Sequence, residues 1–104
     1  DTRTRFGMMS TTKAVTALAV AMLVDEGKLS WDDPVTKHLP WFRLSQPWVT
    51  EAITLRDLLT HRTGLGNADL LWTRGDLSSR EILERVRFLD LAYSPRSSFI
   101  YQNV

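Results

Sequence analysis

The sequence of 104 residues predicts a mainly helical chain. Apolar segments with helical spacing each follow hydroxyl or carboxyl side chains of the kind that cap helix N-termini. No segment shows the sustained alternation of apolar and polar residues that is typical of a half-buried strand. The hydrophobic content of 43% and the charged content of 24% are ordinary for a globular protein, so extensive disorder is not expected.

The first predicted helix covers residues 10–26. Ser10 and the two threonines after it supply capping hydroxyls, and Gly27 is well placed to end the helix in a left-handed conformation. The apolar stretch within it, residues 14–24, is too short to span a membrane, which takes about 20 residues. We therefore expect a helix that is buried on most sides. Because such a helix needs neighbours to cover it, we also expect the chain to be part of something larger.

The middle of the chain predicts a shorter helix and an irregular segment. One of the two aspartates before Pro34 is expected to cap a short helix that has Pro34 at its first position and ends at Pro40. Residues 41–53 follow no regular pattern, and Pro47 is expected to interrupt regular secondary structure there.

The second half of the chain carries two clear helix starts. Thr54 with Asp57 predicts a helix that ends around His61. Ser78 with Glu81 forms a capping box, S-x-x-E, ahead of apolar positions at helical spacing.

Composition and charge argue against several kinds of function. Thirteen basic and twelve acidic residues leave a net charge of +1, which gives no electrostatic reason to expect nucleic acid or an anionic membrane as a partner. The absence of cysteine excludes disulfides, thiolate metal sites and a cysteine nucleophile. With only two histidines, His38 and His61, and no paired acidic cluster, we expect no metal site.

Ser10 and Lys13 form an S-x-x-K motif at the start of the first helix. Residues three apart share one helix face, so the Lys13 ammonium is within reach of the Ser10 hydroxyl. A serine becomes a good nucleophile when a neighbouring base takes its proton, and a lysine with a lowered pKa can be that base. The alternative is a capping serine followed by a solvated lysine, and the motif alone does not exclude it.

Tyr101 and Asn103 form a Y-x-N triplet near the end of the sequence. In a shared pocket, a tyrosine next to a lysine can relay protons, and an asparagine can hydrogen-bond the lysine or a substrate. The alternative is a tyrosine that packs at the end of a loop.

These motifs and the text around them resemble the serine β-lactamase and penicillin-binding-protein-like hydrolase superfamily, in particular its class C-like, esterase-type branch. Residues 53–65 are similar to its "LLTHxSGL" segment. The other similar blocks, in the same order, are residues 5–6, 10–17, 23–29, 32–35, 69–72 and 101–103. The resemblance covers essentially the whole chain. It implies a single partial domain, residues 1–104, which is the helical portion of an α+β fold with most of the sheet missing.

The resemblance implies an acyl-enzyme mechanism without metal or cofactor. Ser10 would be acylated, Lys13 would assist its deprotonation, Tyr101 would be the general base or proton relay, and Asn103 would orient Lys13 and the substrate. The substrate would be a small ester, a β-lactam or a peptide. By analogy, proteins of this type are periplasmic or secreted.

The sequence departs from the family at three points. Met9 stands where the residue before the nucleophile is often glycine or another small residue, and Pro95-Arg96 stands where Pro-Gly is usual. The third motif of the family, a K/H-x-G triplet on a strand, is absent. We therefore expect the chain by itself to be nearly inactive.

Two other functions are open on the sequence. The chain could be a non-catalytic helical interaction module, or a self-associating fragment that covers residues 14–24 with a second copy. We expect His61 to have a structural role in a turn, and Trp72 to pack in the core or a loop, with a substrate-facing position as the alternative.

Overall fold

A computed structural model describes residues 1–104, and it is helical, as predicted. The five α-helices are α1, Thr12–Asp25; α2, Val35–His38; α3, Pro47–Ala52; α4, Leu55–Leu59; and α5, Ser79–Arg85. Single 3-10 turns occupy Met9–Thr11, Asp69–Leu71 and Val86–Phe88. No strand is present, and β-type pairing is limited to two isolated bridges, Pro34 with Thr54 and Leu65 with Leu91. The chain divides into two compact units, Asp1–Ser30 and Trp31–Val104.

The first unit consists of the 3-10 turn, α1 and the turn that follows it. Gly27 has a φ of 71°, and the amides of Lys28 and Leu29 both donate to the carbonyl of Leu23. This left-handed ending is the one that the sequence predicts for the helix. None of the helices of the chain combines the length and the apolar content that a membrane span requires.

The expectation that α1 is buried on most sides is wrong for this structure. No residue of α1 is buried, and Leu18 is 62% exposed. The reason is that the 30-residue first unit contains one α-helix and offers it no partner within that unit. An apolar helix keeps water off its side chains only where other elements pack against it.

The second unit has a core around α3 and the loops that flank it. Val49 and Ile53 are fully buried, and Thr50, also buried, accepts a hydrogen bond from the amide of Leu44 at 2.8 Å. The remaining buried apolar residues of this core are Val35, Phe42, Leu44, Leu65 and Val86.

Two proline predictions were wrong. Pro47 begins α3 instead of interrupting regular structure, since the first turn of a helix does not need the amide hydrogen that proline lacks. Pro34 lies just outside α2 with a ψ of 139°, and the Asp33 side chain does not cap the helix. The carboxylate of Asp33 instead accepts from Lys37 at 2.7 Å and contacts His38 at 2.9 Å.

The predicted capping box at Ser78 is present, and the predicted cap at Thr54 is also a capping box. The Thr54 hydroxyl accepts from the amide of Asp57, whose carboxylate accepts from the amide of Thr54. Ser78 and Glu81 make the same reciprocal pair at the start of α5. Each box satisfies amides that the first turn of a helix leaves without a backbone partner.

Candidate active site

Ser10 and Lys13 lie in contact at the start of α1. Ser10 belongs to the 3-10 turn that leads into the helix, and Lys13 lies in the first turn of α1. The Lys13 Nζ donates to Ser10 Oγ at 3.3 Å. A lysine nitrogen at this distance holds the hydroxyl in place and, once deprotonated, is positioned to accept its proton.

Met9, the residue before Ser10, has a left-handed backbone with a φ of 49°. For a residue with a side chain this conformation costs about 1–2 kcal/mol, whereas glycine adopts it without a steric penalty. This geometry gives a physical reason why a glycine would suit the position.

Tyr101 lies against His61. The centroids of the two rings are 4.8 Å apart, and the ring planes are tilted by 35°. The ring of Phe99 also contacts His61, edge-on, with 5.5 Å between the centroids. The backbone carbonyl of His61 accepts from the amide of Ile100 at 3.1 Å, and its Nδ1 accepts from the amide of Gln102 at 3.2 Å. One residue therefore holds the segment that carries Tyr101 through both its backbone and its ring.

Gln102, the middle residue of the Y-x-N triplet, anchors the triplet through its buried side chain. It is 7% exposed, while Tyr101 and Asn103 on either side are exposed. Its Nε2 donates to the carbonyls of Leu65 and Gly66 at 2.8 and 2.6 Å, and its buried Oε1 has no hydrogen-bond partner. The two motif residues are therefore exposed, while the residue between them is held in the interior.

Gln102 was not among the predicted site residues. The Y-x-N spacing could have indicated a role for Gln102. In an extended segment, residues two apart lie on one face and the residue between them points the opposite way. What the sequence does not reveal is that the partners of Gln102 lie 36 and 37 residues earlier in the chain.

Asn103 faces a carboxylate. Its Nδ2 donates to Oδ1 of Asp69 at 3.0 Å, and the indole Nε1 of Trp72 donates to the same oxygen at 3.0 Å. Trp72 thus lies beside the asparagine of the motif, and Asp69 joins the two residues.

Arg96 ties the segment before the motif to α4. Its Nε and Nη2 donate to the two carboxylate oxygens of Asp57 at 2.9 and 2.8 Å, and Nη2 also donates to the carbonyl of Ala52 at 2.8 Å. Arg62 donates in turn to the carbonyl of Arg96. Asp57 is 4% exposed. Burial raises the pKa of the Asp57 carboxyl, but hydrogen bonds from Arg96 and Thr54 outweigh burial, so this pKa lies below its ordinary value.

Gly64 allows its own loop to approach residues 92–95 closely. Its φ is 85°, and a Cβ at this position would lie 2.4 Å from the carbonyl oxygen of Tyr93. The carbonyl of Gly64 accepts from the amides of Ala92 and Tyr93 at 2.9 and 3.3 Å. A side chain at residue 64 would push residues 93–95 away, so the position requires glycine.

The four predicted site residues thus form two pairs. Ser10 and Lys13 touch within the first unit, and Tyr101 and Asn103 are the exposed neighbours of buried Gln102 in the second unit. Gln102 and Asp69 were not predicted as site residues from the sequence, and Arg96 was noted there only as a departure from the usual glycine.

Comparison with known proteins identifies the family of the chain. The family model described as Beta-lactamase matches residues 1–104. The unguisins hydrolase ungD' of Aspergillus campestris is 37% identical over 97% of the chain, and Protein flp of Staphylococcus aureus strain N315 is 29% identical over 97%. The chain spans 21% of the length of each of these relatives. The match over its full length shows that the chain belongs to the Beta-lactamase family of the serine hydrolase superfamily.

Proposed function

We propose that the chain carries the nucleophile and proton-transfer residues of a serine acyl hydrolase. The observation that supports this most directly is the contact between Lys13 Nζ and Ser10 Oγ at 3.3 Å. Family membership supports hydrolase chemistry, and one relative is itself named a hydrolase.

The proposed reaction begins with attack by Ser10 on a carbonyl carbon. Lys13 assists removal of the hydroxyl proton, and Tyr101 is the general base or relay that receives it. The backbone amide of Ser10 stabilises the negative charge that develops on the carbonyl oxygen. The tetrahedral intermediate then expels the leaving group, which takes up the proton, and leaves an acyl group on Ser10 Oγ.

Water completes the proposed cycle. It attacks the acyl carbonyl while the same base accepts a proton from it, and Ser10 leaves with that proton as a hydroxyl. Asn103 orients Lys13 and the substrate. The substrate class is an ester or amide, which includes small carboxylic esters, β-lactams and peptides.

Intact-mass analysis after incubation with a fluorophosphonate probe tests this proposal. We expect one adduct, absent in Ser10→Ala and slower to form in Lys13→Ala, with Lys28→Ala as the exposed-lysine control. Steady turnover of an activated ester should be nearly absent, because the K/H-x-G motif that would supply a second oxyanion donor is not in the chain, so the ester reaction is expected to stop after one slow acylation of Ser10. An adduct that persists in Ser10→Ala, or no adduct in the unmodified chain, would contradict the proposal.

The exposed apolar surface of α1 favours a second candidate function. Val15, Leu18 and Met22 are each more than half exposed. A second copy of the chain, packing its own α1 against these residues, would remove them from water. In this case the chain is a self-associating helical module, and Ser10 has only a structural role at the start of the helix.

A further inference from the structure

We propose that Asp69 is a positioning residue that fixes which end of the Asn103 amide is presented to the reaction. This inference rests on the proposed role of Asn103 in orienting Lys13 and the substrate. The geometric basis is the 3.0 Å hydrogen bond from Asn103 Nδ2 to Asp69 Oδ1.

The chemistry of the two groups determines the orientation of the amide. An asparagine side chain has a donor end, the NH₂ group, and an acceptor end, the carbonyl oxygen, whereas a carboxylate only accepts. The NH₂ end of Asn103 therefore faces Asp69, since the opposite orientation would place two acceptor oxygens against each other. Oδ1 of Asn103 consequently faces away from Asp69.

Asp69 is itself held in place from several directions. Its Oδ1 also accepts from Trp72 Nε1 at 3.0 Å, and its Oδ2 accepts from Asn67 Nδ2 at 3.0 Å. The amide of Asp69 donates to Oδ1 of Asn67 at 3.0 Å. Rotation of the carboxylate would break the bonds from Trp72 Nε1 and Asn67 Nδ2 together, so Asp69 provides a fixed acceptor.

Oδ1 of Asn103, which faces away from Asp69, determines what kind of group it can bind. An oxygen acceptor binds a hydrogen-bond donor, which here is an N–H or an ammonium group. The donor has two possible sources, an N–H of the acyl substrate or an ammonium of the protein itself.

Side-chain NMR of the 104-residue chain tests the orientation independently of activity. We expect Asp69→Ala to shift the Asn103 NH₂ and Trp72 indole signals, because both lose their acceptor. Asp69→Asn should shift both signals less than Asp69→Ala does, since its carbonyl oxygen can replace Oδ1. Asp76→Ala is the matched control, because Asp76 lies nearby in sequence and is largely exposed. Unchanged Asn103 signals in a folded Asp69→Ala chain would overturn the proposal.

The acylation rate of Ser10 then tests the consequence for chemistry. We expect a nitrophenol burst about tenfold slower in Asp69→Ala and within about threefold of the original in Asp69→Asn, the scale of one lost hydrogen bond. Comparing the nitrophenyl esters of butyric acid and N-acetylglycine identifies the donor. A loss confined to the N-acetylglycine ester assigns it to the substrate, and an equal loss with both esters assigns it to the protein.

The two readouts separate failure of this inference from failure of the proposed function. Burst rates that are equal in the unmodified chain and Asp69→Ala would contradict a role for Asp69 while leaving the acyl hydrolase standing. A complete absence of a burst in the unmodified chain would count against the acyl hydrolase, and the NMR signals would still decide how Asn103 is oriented.

Discussion

Arg96 has a backbone conformation that usually belongs to glycine, and its side chain explains how it is tolerated. Its φ is 67°. The left-handed conformation costs a residue with a Cβ about 1–2 kcal/mol, and the paired hydrogen bonds to Asp57 offset that cost. The departure from the family's usual Pro-Gly is therefore compensated within the second unit.

We expect Arg96→Ala to lower the free energy of unfolding by about 2–4 kcal/mol, because it leaves the buried Asp57 carboxylate without its cation. The lower part of this range is favoured, since the Arg96 side chain is half exposed. Arg96→Gly should be less destabilised than Arg96→Ala by up to about 1 kcal/mol, because glycine relieves the backbone strain. Urea unfolding followed by circular dichroism measures both, with the exposed Arg74→Ala as control. Equal stability of the glycine and alanine variants would contradict the strain argument.

His61 has the same left-handed conformation, with a φ of 56°. We expect His61→Asn to retain more stability than His61→Ala, because asparagine tolerates this conformation and its carbonyl can accept from the amide of Gln102. Hydrogen exchange of the Gln102 amide measures the contact. His38→Ala is the control, since His38 contacts Asp33 and should leave that exchange rate unchanged. Faster exchange in His61→Asn than in His61→Ala would sink the idea.

At the scale of elements, the local signals in the sequence predicted the helices well. Both capping boxes and the glycine end of α1 depend on residues within a few positions of one another. The start of α3 was missed, because a proline is compatible with either a break or a first turn, and the choice depends on burial of Val49 and Ile53 against the core.

Helix α5 offers a direct test of a capping box. We expect Ser78→Ala to cost about 1 kcal/mol, because the amide of Glu81 loses its acceptor. Ser79→Ala is the matched control, since it lies one position later and leaves the box intact. Thermal unfolding measured by circular dichroism compares the two. A Ser79→Ala chain that is as destabilised as Ser78→Ala would show that the box is not the cause.

The box at the start of α4 makes stability depend on pH. The pKa of Asp57 is lowered in the folded chain, so the folded state favours the ionised carboxyl. Its contribution is complete above the ordinary aspartate pKa of about 4 and is lost as the pH falls through the lower folded value.

We therefore expect urea midpoints that fall steeply below about pH 4 in the unmodified chain and less steeply in Asp57→Asn. Asp32→Asn is the comparison, because a hydrogen bond from Arg56 lowers the pKa of Asp32 while that pair is exposed to water. An acid limb of the same steepness in Asp57→Asn would contradict the assignment to Asp57.

At the scale of the whole molecule, contacts between residues close in sequence could be predicted, whereas contacts between distant segments could not. The pair of Ser10 and Lys13 is separated by one helical turn and could be inferred from spacing. Arg96 and Asp57 are 39 residues apart, and Asn103 and Asp69 are 34 apart. No pattern in the sequence specifies which of several charged or polar groups will meet across such distances, because that depends on how the loops pack.

The exposed apolar face of α1 leads to a prediction about association. We expect sedimentation to show self-association that increases with concentration and is weakened by Leu18→Glu, because a charge at this position opposes burial of the face. Thr16→Glu is the control, since it adds the same charge at a polar position of the same helix. A single monomeric species at all concentrations would argue against the self-associating module.

Asp57 links the opening motions of two parts of the second unit. The same carboxylate caps α4 through Thr54 and holds Arg96, so neither contact can be lost without weakening the other. Fraying of α4 and detachment of the segment that leads to Tyr101 should therefore occur as one cooperative event. The amides of Leu58 and Ile100, which bond to Thr54 and His61, would then exchange with solvent at a common rate, although 42 positions separate them in the sequence.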